Sequence, residues 1–134
     1  MIDIENAVFD TVATAFDAAY PNGSRYSEDN SAPARFPCLT LVEMDNYTYE
    51  RSLDASLMEH DAWLSYEVNV YCDKGTGQAK MESKKIMDLV DETMQNLGFV
   101  RISCGPVRNA DSQIYRMTAR YRCVISEDYR IYRN

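Results

Sequence analysis

The segment from residue 90 to residue 132 constrains the fold more than any other part of this chain of 134 residues. An amphipathic helical pattern stops at Gly98, and glycine commonly ends a helix by adopting the left-handed conformation. A short strand pattern follows, Pro, Asn and Asp residues reverse the chain, and a long strand pattern carrying arginines comes last. The segment contains no nucleophile–base pair, phosphate loop or metal-ligand spacing. It predicts a sheet with one apolar face and one cationic face.

Two segments carry apolar side chains at helical spacing. The first covers residues 3–20 and ends at a Pro-Asn-Gly turn. The second covers residues 78–97, with Thr76 as its predicted N-cap. Each apolar stripe is suited to packing one face of its helix against a sheet. The predicted stripes are Ile4, Val8, Val12, Ala15, Phe16 and Ala19, and Ile86, Leu89, Val90, Met94 and Leu97.

The strand patterns complete an α-β-β-α-β-β order, with a further hairpin arm as an open alternative. This order predicts an α+β fold with a mainly antiparallel sheet and both helices packed on one face. The clearest strand alternates Leu64, Tyr66, Val68, Val70 and Cys72 with Trp63, Ser65, Glu67, Asn69 and Tyr71. The predicted strands are residues 37–44, which could continue through Tyr47, Tyr49 and Arg51, then 62–72, 99–104 and 112–126, and a short strand near 129–132.

Length and composition fit a single domain over residues 1–134, with 46% hydrophobic residues. Two polar stretches interrupt it: we predict a mobile loop at 22–35 and a protruding arm at 52–61. No apolar run approaches the roughly 20 residues that a membrane span needs. The N-terminal residues do not resemble a secretory signal, so the protein is expected to stay in the compartment where it is made.

The net charge of −7 is unevenly distributed along the chain. Residues 1–62 carry a net charge of −9, residues 63–98 carry −2, and residues 99–134 carry +4. The halves could neutralise each other within one fold, or an acidic face of one subunit could meet a basic face of the next. The acidic total argues against a general nucleic-acid binder. The ten tyrosines suit an interface, and stacking on single-stranded nucleic acid is the weaker alternative.

The last long strand places arginines on one of its two faces. Alternate residues on one face lie about 6.6 Å apart, so Arg120 and Arg122 repel each other unless carboxylates lie opposite. Glu43 and Glu67 lie on strands with suitable alternation to be those carboxylates. The arginines could therefore pair within their own sheet or face a neighbouring subunit. The candidate subunit interface is Arg116, Arg120, Arg122, Glu43 and Glu67.

The sequence predicts neither a catalytic site nor a metal or cofactor site. The histidine at position 60 lies in a polar stretch at no recognisable motif distance from a Cys or Ser, and GTGQAK lacks the full phosphate-loop pattern. A Cys₃His site using His60 has no support in the spacing. The protein is therefore expected not to be an enzyme. Four buried free thiols are predicted at Cys38, Cys72, Cys104 and Cys123.

Several segments together resemble tail-terminator, or tail-to-head joining, proteins of long-tailed bacteriophages. They are LSYEVNVY at 64–71, KKIMDLVDETMQNLGF at 84–99, GPVRNADSQIYRMTARYRCVI at 105–125 and SEDYRIYR at 126–133. The resemblance covers residues 36–133, and the first helix is of a consistent kind. Such proteins have no catalytic signature that could be matched residue by residue.

The resemblance implies a structural virion protein without cofactors, located at the head–tail junction and made in the bacterial host cytoplasm. It implies a ring, commonly of six subunits, that caps the finished tail tube and then joins it to the DNA-filled head. The implied partners are further copies of the chain, the tail tube protein, and head connector or neck proteins, with genomic DNA only as passing cargo and no membrane. A neck, head-completion or minor tail protein is the main alternative. A small non-viral binding module or enzyme is the other.

Overall fold

The described part of the chain forms two α-helices and one five-stranded sheet. The structure is a computed structural model and describes residues 3–28, 35–48, 61–109, 111–126 and 131. The elements are α1 (Glu5–Ala19), β1 (Ser24–Tyr26), β2 (Cys38–Thr48), β3 (Asp61–Asp73), α2 (Ala79–Leu97), β4 (Val100–Val107) and β5 (Ile114–Ser126). The strand order is β1-β2-β3-β5-β4, in which only β1 pairs in parallel. The predicted α+β fold is confirmed.

Strand β3 lies at the centre of the sheet, and α1 and α2 pack together over one of its faces. The predicted alternation of β3 is confirmed, because one set of alternate side chains packs in the core shared with the helices, while Glu67 and Asn69 of the other set contact arginines of β5. This burial of apolar area is the main favourable contribution to the fold. The shared core includes Val8, Val12 and Phe16 of α1, Leu39 and Leu41 of β2, Leu64, Tyr66, Val68 and Val70 of β3, and Ile86, Val90 and Met94 of α2.

The two ends of α2 differ in how well the sequence predicts them. Gly98 adopts the left-handed conformation with φ of 102°, and its N–H donates to the carbonyls of Gln95 and Met94, as a glycine stop should. The prediction that Thr76 caps the helix is wrong. Thr76 ends a short 3-10 turn that Asp73 caps instead, by accepting a hydrogen bond from the Gly75 N–H. The helix then begins at Ala79 without a side-chain cap.

Part of the predicted loop at 22–35 is the short parallel strand β1, so that prediction is wrong for residues 24–26. The Ser24 hydroxyl is buried and donates to the Arg35 carbonyl over 2.8 Å. Arg25 forms an ion pair with Asp17 of α1 at 2.8 Å. Backbone pairing and polar contacts hold this strand, and neither produces an apolar alternation in the sequence. Residues 29–34 lie outside the described residues.

All four cysteines are free, as predicted. Three are buried, but Cys104 is exposed because it lies on β4, at the edge of the sheet. The prediction of a buried thiol at this position is therefore wrong. Cys38, Cys72 and Cys123 are buried, as predicted.

Several predictions fall wholly or partly outside the described residues. The arm at 52–61 is described only at Asp61, where β3 begins, and His60 is not described. Strand β2 continues through residue 48, but residues 49–51 are not described. Of the closing strand near 129–132, only Ile131 is described, and it forms an antiparallel bridge with Ile125. Among the described helices, none is long and apolar enough to span a membrane.

Val68→Ala is expected to lower the free energy of unfolding by about 1–3 kcal/mol. The change removes two buried methyl groups beneath α2 and leaves a cavity. Val107→Ala is the matched control, because Val107 is 44% exposed and should tolerate the same change with little cost. Urea denaturation of both variants measures the difference. Equal stability of the Val68→Ala variant and the parent would show that the β3 side chains are assigned to the wrong faces.

Candidate assembly surface

The face of the sheet opposite the helices carries the arginine row. We call this surface the arginine face, and it comprises Trp63, Ser65, Glu67, Asn69 and Tyr71 of β3 and Arg116, Thr118, Arg120 and Arg122 of β5. Glu67 and Asn69 lie at its centre and are 7% and 0% exposed. A carboxylate buried to this extent is costly unless its charge and its hydrogen-bonding capacity are both satisfied.

The Glu67 carboxylate is satisfied by two arginines and an amide. Arg120 donates from Nε to Glu67 Oε2 at 3.2 Å, and its Nη2 lies 3.2 Å from the same oxygen. Asn69 Nδ2 donates to Oε1 over 3.1 Å, and Arg116 Nη2 lies 3.7 Å from that oxygen. The predicted pairing of Glu67 with the arginine row is confirmed, and it occurs within one sheet.

Arg116 is held further by its neighbours on β3. Its Nε donates to Asn69 Oδ1 over 2.9 Å, and its guanidinium lies 5.5 Å from the centroid of the Tyr71 ring. The hydroxyl of Thr118 donates to the same Asn69 oxygen. Asn69 thus links the Glu67 carboxylate to β5 through both of its amide atoms. These contacts make Arg116 part of the subunit's own structure.

Arg122 differs from the other two arginines. Like Arg120 it is exposed, but its guanidinium lies 5.6 Å from the centroid of the Trp63 ring. Among the residues that the structure describes, no carboxylate forms a salt bridge with it. Of the predicted interface arginines, Arg122 is therefore the one that no described carboxylate pairs.

Glu43 lies on the opposite side of the sheet from the arginine row. It pairs in register with Tyr66, and its Oε1 accepts a hydrogen bond from the Tyr66 hydroxyl over 3.1 Å. The prediction that Glu43 neutralises the arginines is wrong, because Glu43 shares the alternation of Leu39 and Leu41, which face the helices. Its role in a subunit interface stays a prediction.

Glu43 belongs instead to a cluster of three carboxylates. Asp3, Glu5 and Glu43 each offer an oxygen within 4.8 Å of the other two. Burial raises the pKa of Glu43, and the negative charges of Glu5 and Asp3 raise it further, against the lowering effect of the Tyr66 hydrogen bond. Burial also raises the pKa of Glu5. A positive charge placed here would relieve the repulsion.

Strand β4 is the most exposed part of the sheet. None of its residues is buried, and Val100, Ile102 and Val107 are 46%, 53% and 44% exposed. Its inner edge pairs with β5, while its outer edge has no strand partner among the described residues. Sequence alternation predicted this strand but did not indicate its exposure, because edge and central strands share the same period.

Comparison with known proteins finds similarity among solved structures and not at the level of a family model. No family model matches the chain, and no curated protein matches it. Among solved structures, the chain is similar to the bacteriophage SPP1 gp17 protein, with a TM-score of 0.40 and 13% sequence identity. The similarity covers 87% of this chain and 88% of that chain. Similarity at this level does not establish a shared function.

Glu67→Gln is expected to lower the free energy of unfolding by about 1–2 kcal/mol, because two arginines lose a charged partner while the side chain keeps its shape. Arg108→Gln, at an exposed position just beyond β4, also removes one charge but breaks no described salt bridge, so its effect should stay within about 0.5 kcal/mol. Urea denaturation compares the two variants. If both changes have the same small effect, the Glu67 carboxylate does not stabilise the arginine face.

Glu43→Gln is expected to stabilise the protein at neutral pH and to lose this advantage in acid. In the folded protein the pKa of Glu43 lies above its ordinary value of 4.5, so the parent loses stability as the pH rises through that raised pKa. Glutamine carries no charge and can still accept the Tyr66 hydrogen bond. Urea denaturation at acidic and neutral pH measures the gain, with the exposed Glu92→Gln as control. A gain that does not grow with pH would contradict the raised pKa of Glu43.

Proposed function

We propose that this chain is a structural virion protein of a long-tailed bacteriophage, which forms a ring that caps the tail tube and joins the tail to the head. Two lines of support are independent of each other. The phage assignment rests on the sequence resemblance at 64–71, 84–99 and 105–125. The assembly assignment rests on one structural observation, the exposed apolar strand β4 at the end of the sheet.

An exposed edge strand with aliphatic side chains favours association. The outer edge of β4, which no described strand pairs, offers N–H and C=O groups to another strand, and Val100, Ile102 and Val107 add apolar area that water solvates poorly. Monomeric proteins usually shorten, charge or cover such edges. A surface of this kind is expected where a partner covers it in the functional state.

The two edges of the sheet are unlike, which favours a ring over a symmetric dimer. One edge is formed by β4, and the other by β1 and the part of β2 beyond it. A contact between two different surfaces repeats from copy to copy, and it closes when the rotation between subunits divides a full turn. The resemblance implies six subunits for this ring.

We propose a structural rather than a catalytic role. The carboxylate of the arginine face, Glu67, is paired with Arg116 and Arg120, and three cysteines belong to the core. One rim of the ring would bind the tail tube protein and the other the head connector or neck proteins. Genomic DNA would pass through the lumen as cargo. The protein would therefore be made in the host cytoplasm and end in the virion at the head–tail junction.

Native mass spectrometry and negative-stain imaging of the purified protein test this proposal. We expect one discrete oligomer that appears as closed rings and that binds the ends of purified tail tubes. A strict monomer at high concentration would contradict ring formation. Rings that bind isolated head connectors but not tail tubes would reassign the protein to the neck.

A further inference from the structure

We propose that copies of this chain join edge to edge, with residues 100–104 of β4 pairing antiparallel with residues 41–45 of β2 in the neighbouring copy. The inference rests on the proposed function, which supplies the second copy. The contact would extend one subunit's sheet into the next, so that main-chain hydrogen bonds and two pairs of opposite charges hold the ring together.

The open parts of the two edges match in position. Strand β1 covers β2 only at residues 38–40, and no described strand pairs with residues 41–48 on that side. On β4, Pro106 lacks an N–H and cannot donate to an added strand, which leaves residues 100–105 as the part of the edge able to pair. Pro106 lies level with Leu39 across the sheet, where β1 already covers β2.

The strand registers place opposite charges beside each other if the sheet continues without a shift. Glu43 lies level with Tyr66, Tyr121 and Arg101 in one row across the sheet. In the extended sheet, Arg101 of one copy therefore lies beside Glu43 of the next, both on the helix side. The strand directions alternate across the sheet, so β4 and the neighbouring β2 run antiparallel.

The adjacent row gives a second charge pair on the arginine face. Asp45 lies level with Ser65, Arg122 and Val100. In the extended sheet, Asp45 of the neighbouring copy lies beside Val100, with Arg122 one strand further on the same face. Strands are about 4.8 Å apart, so a guanidinium can reach across one intervening strand. Asp45 and Arg122 are both exposed in the single subunit.

The charges at both edges are available for such a contact. Arg101 is 49% exposed and contacts Asp91 through Nη1 at 3.3 Å, which leaves other guanidinium donors free for a second carboxylate. Glu43 lies in the cluster with Asp3 and Glu5, where a guanidinium would offset the repulsion. Pairing two β4 edges or two β2 edges would instead bring like charges together, which favours the head-to-tail arrangement.

Exposed apolar side chains also meet at this contact. Met44 and Ile102 are 48% and 53% exposed, and each lies at an irregularity in its strand register. Both irregularities adjoin the row that contains Glu43 and Arg101. The proposed pairing places both side chains and Val100 beside the neighbouring strand, which shields part of their apolar area from water.

Disulfide trapping tests the register directly. The background variant is Cys104→Ser, because the other three cysteines are buried. Val100→Cys combined with Asp45→Cys places thiols on facing strands, where directly opposite Cα atoms lie about 4.5–5.5 Å apart, within the range for a disulfide. We expect covalent head-to-tail multimers that a reductant dissolves. The control, Val107→Cys with Asp45→Cys, places the thiols about six residue levels apart and should give none.

A charge exchange tests the same contact without a covalent bond. Arg122→Asp and Asp45→Arg are each expected to raise the protein concentration needed for half assembly by about tenfold, because like charges then meet at every contact. The double variant should restore assembly to within about threefold of the parent. Lys84→Glu, on the exposed side of α2, should have no effect. Circular dichroism checks that each variant is folded.

The outcomes separate the two proposals. If the parent forms rings but the Val100/Asp45 pair does not cross-link, or its control cross-links equally, the edge contact is wrong and the proposed function stands. The same conclusion follows if Arg122→Asp and Asp45→Arg each form rings at the same protein concentration as the parent. A parent chain that stays monomeric at every concentration overturns the proposed function, and the edge contact with it.

Discussion

The pairing of β3 with β5 depends on the buried carboxylate of Glu67. Glu67 is 7% exposed, and it is stable there because Arg116, Arg120 and Asn69 meet both of its oxygens. These contacts hold β5 against β3 in one register, since a slip by one residue would move the arginines to the helix side. The same register directs Arg122 outward. The contacts of the buried Glu67 carboxylate thus fix the register and leave Arg122 as the arginine of the row that no described carboxylate pairs.

Both faces of the sheet are occupied within the subunit, and its two edges differ in chemical character. Helices α1 and α2 occupy one face, and the arginine network occupies the other. Strand β4 then ends the sheet with aliphatic side chains and Arg101, while β2 presents Glu43, Met44 and Asp45 at the other end. Edges of opposite character on one rigid sheet are a physical basis for a repeated head-to-tail contact.

The spacing of apolar residues predicted the elements and the face on which each strand residue lies. It did not predict features that depend on where a strand lies in the sheet. Periods of 3.6 and two identified both helices, β3 and β5, and parity alone paired Glu67 with the arginines. Glu43 lies on the same face of β2 as Leu39 and Leu41. Its partner could be assigned only once the structure showed that this face packs against the helices. The exposure of Cys104 depends on strand order, which alternation does not encode. The three residues of β1 are too few to show a period.

Hydrogen exchange on assembled and dissociated protein tests the proposed edge contact most directly. Outward-facing amides of an unpaired edge exchange quickly, and pairing with another strand protects them. Assembly should slow exchange at residues 100–104 and 41–45 together. Exchange at residues 116–122 should be unchanged, because β5 is already paired on both sides. Protection confined to the outer surfaces of α1 or α2, with both edges still exchanging quickly, would contradict a ring joined through its sheets.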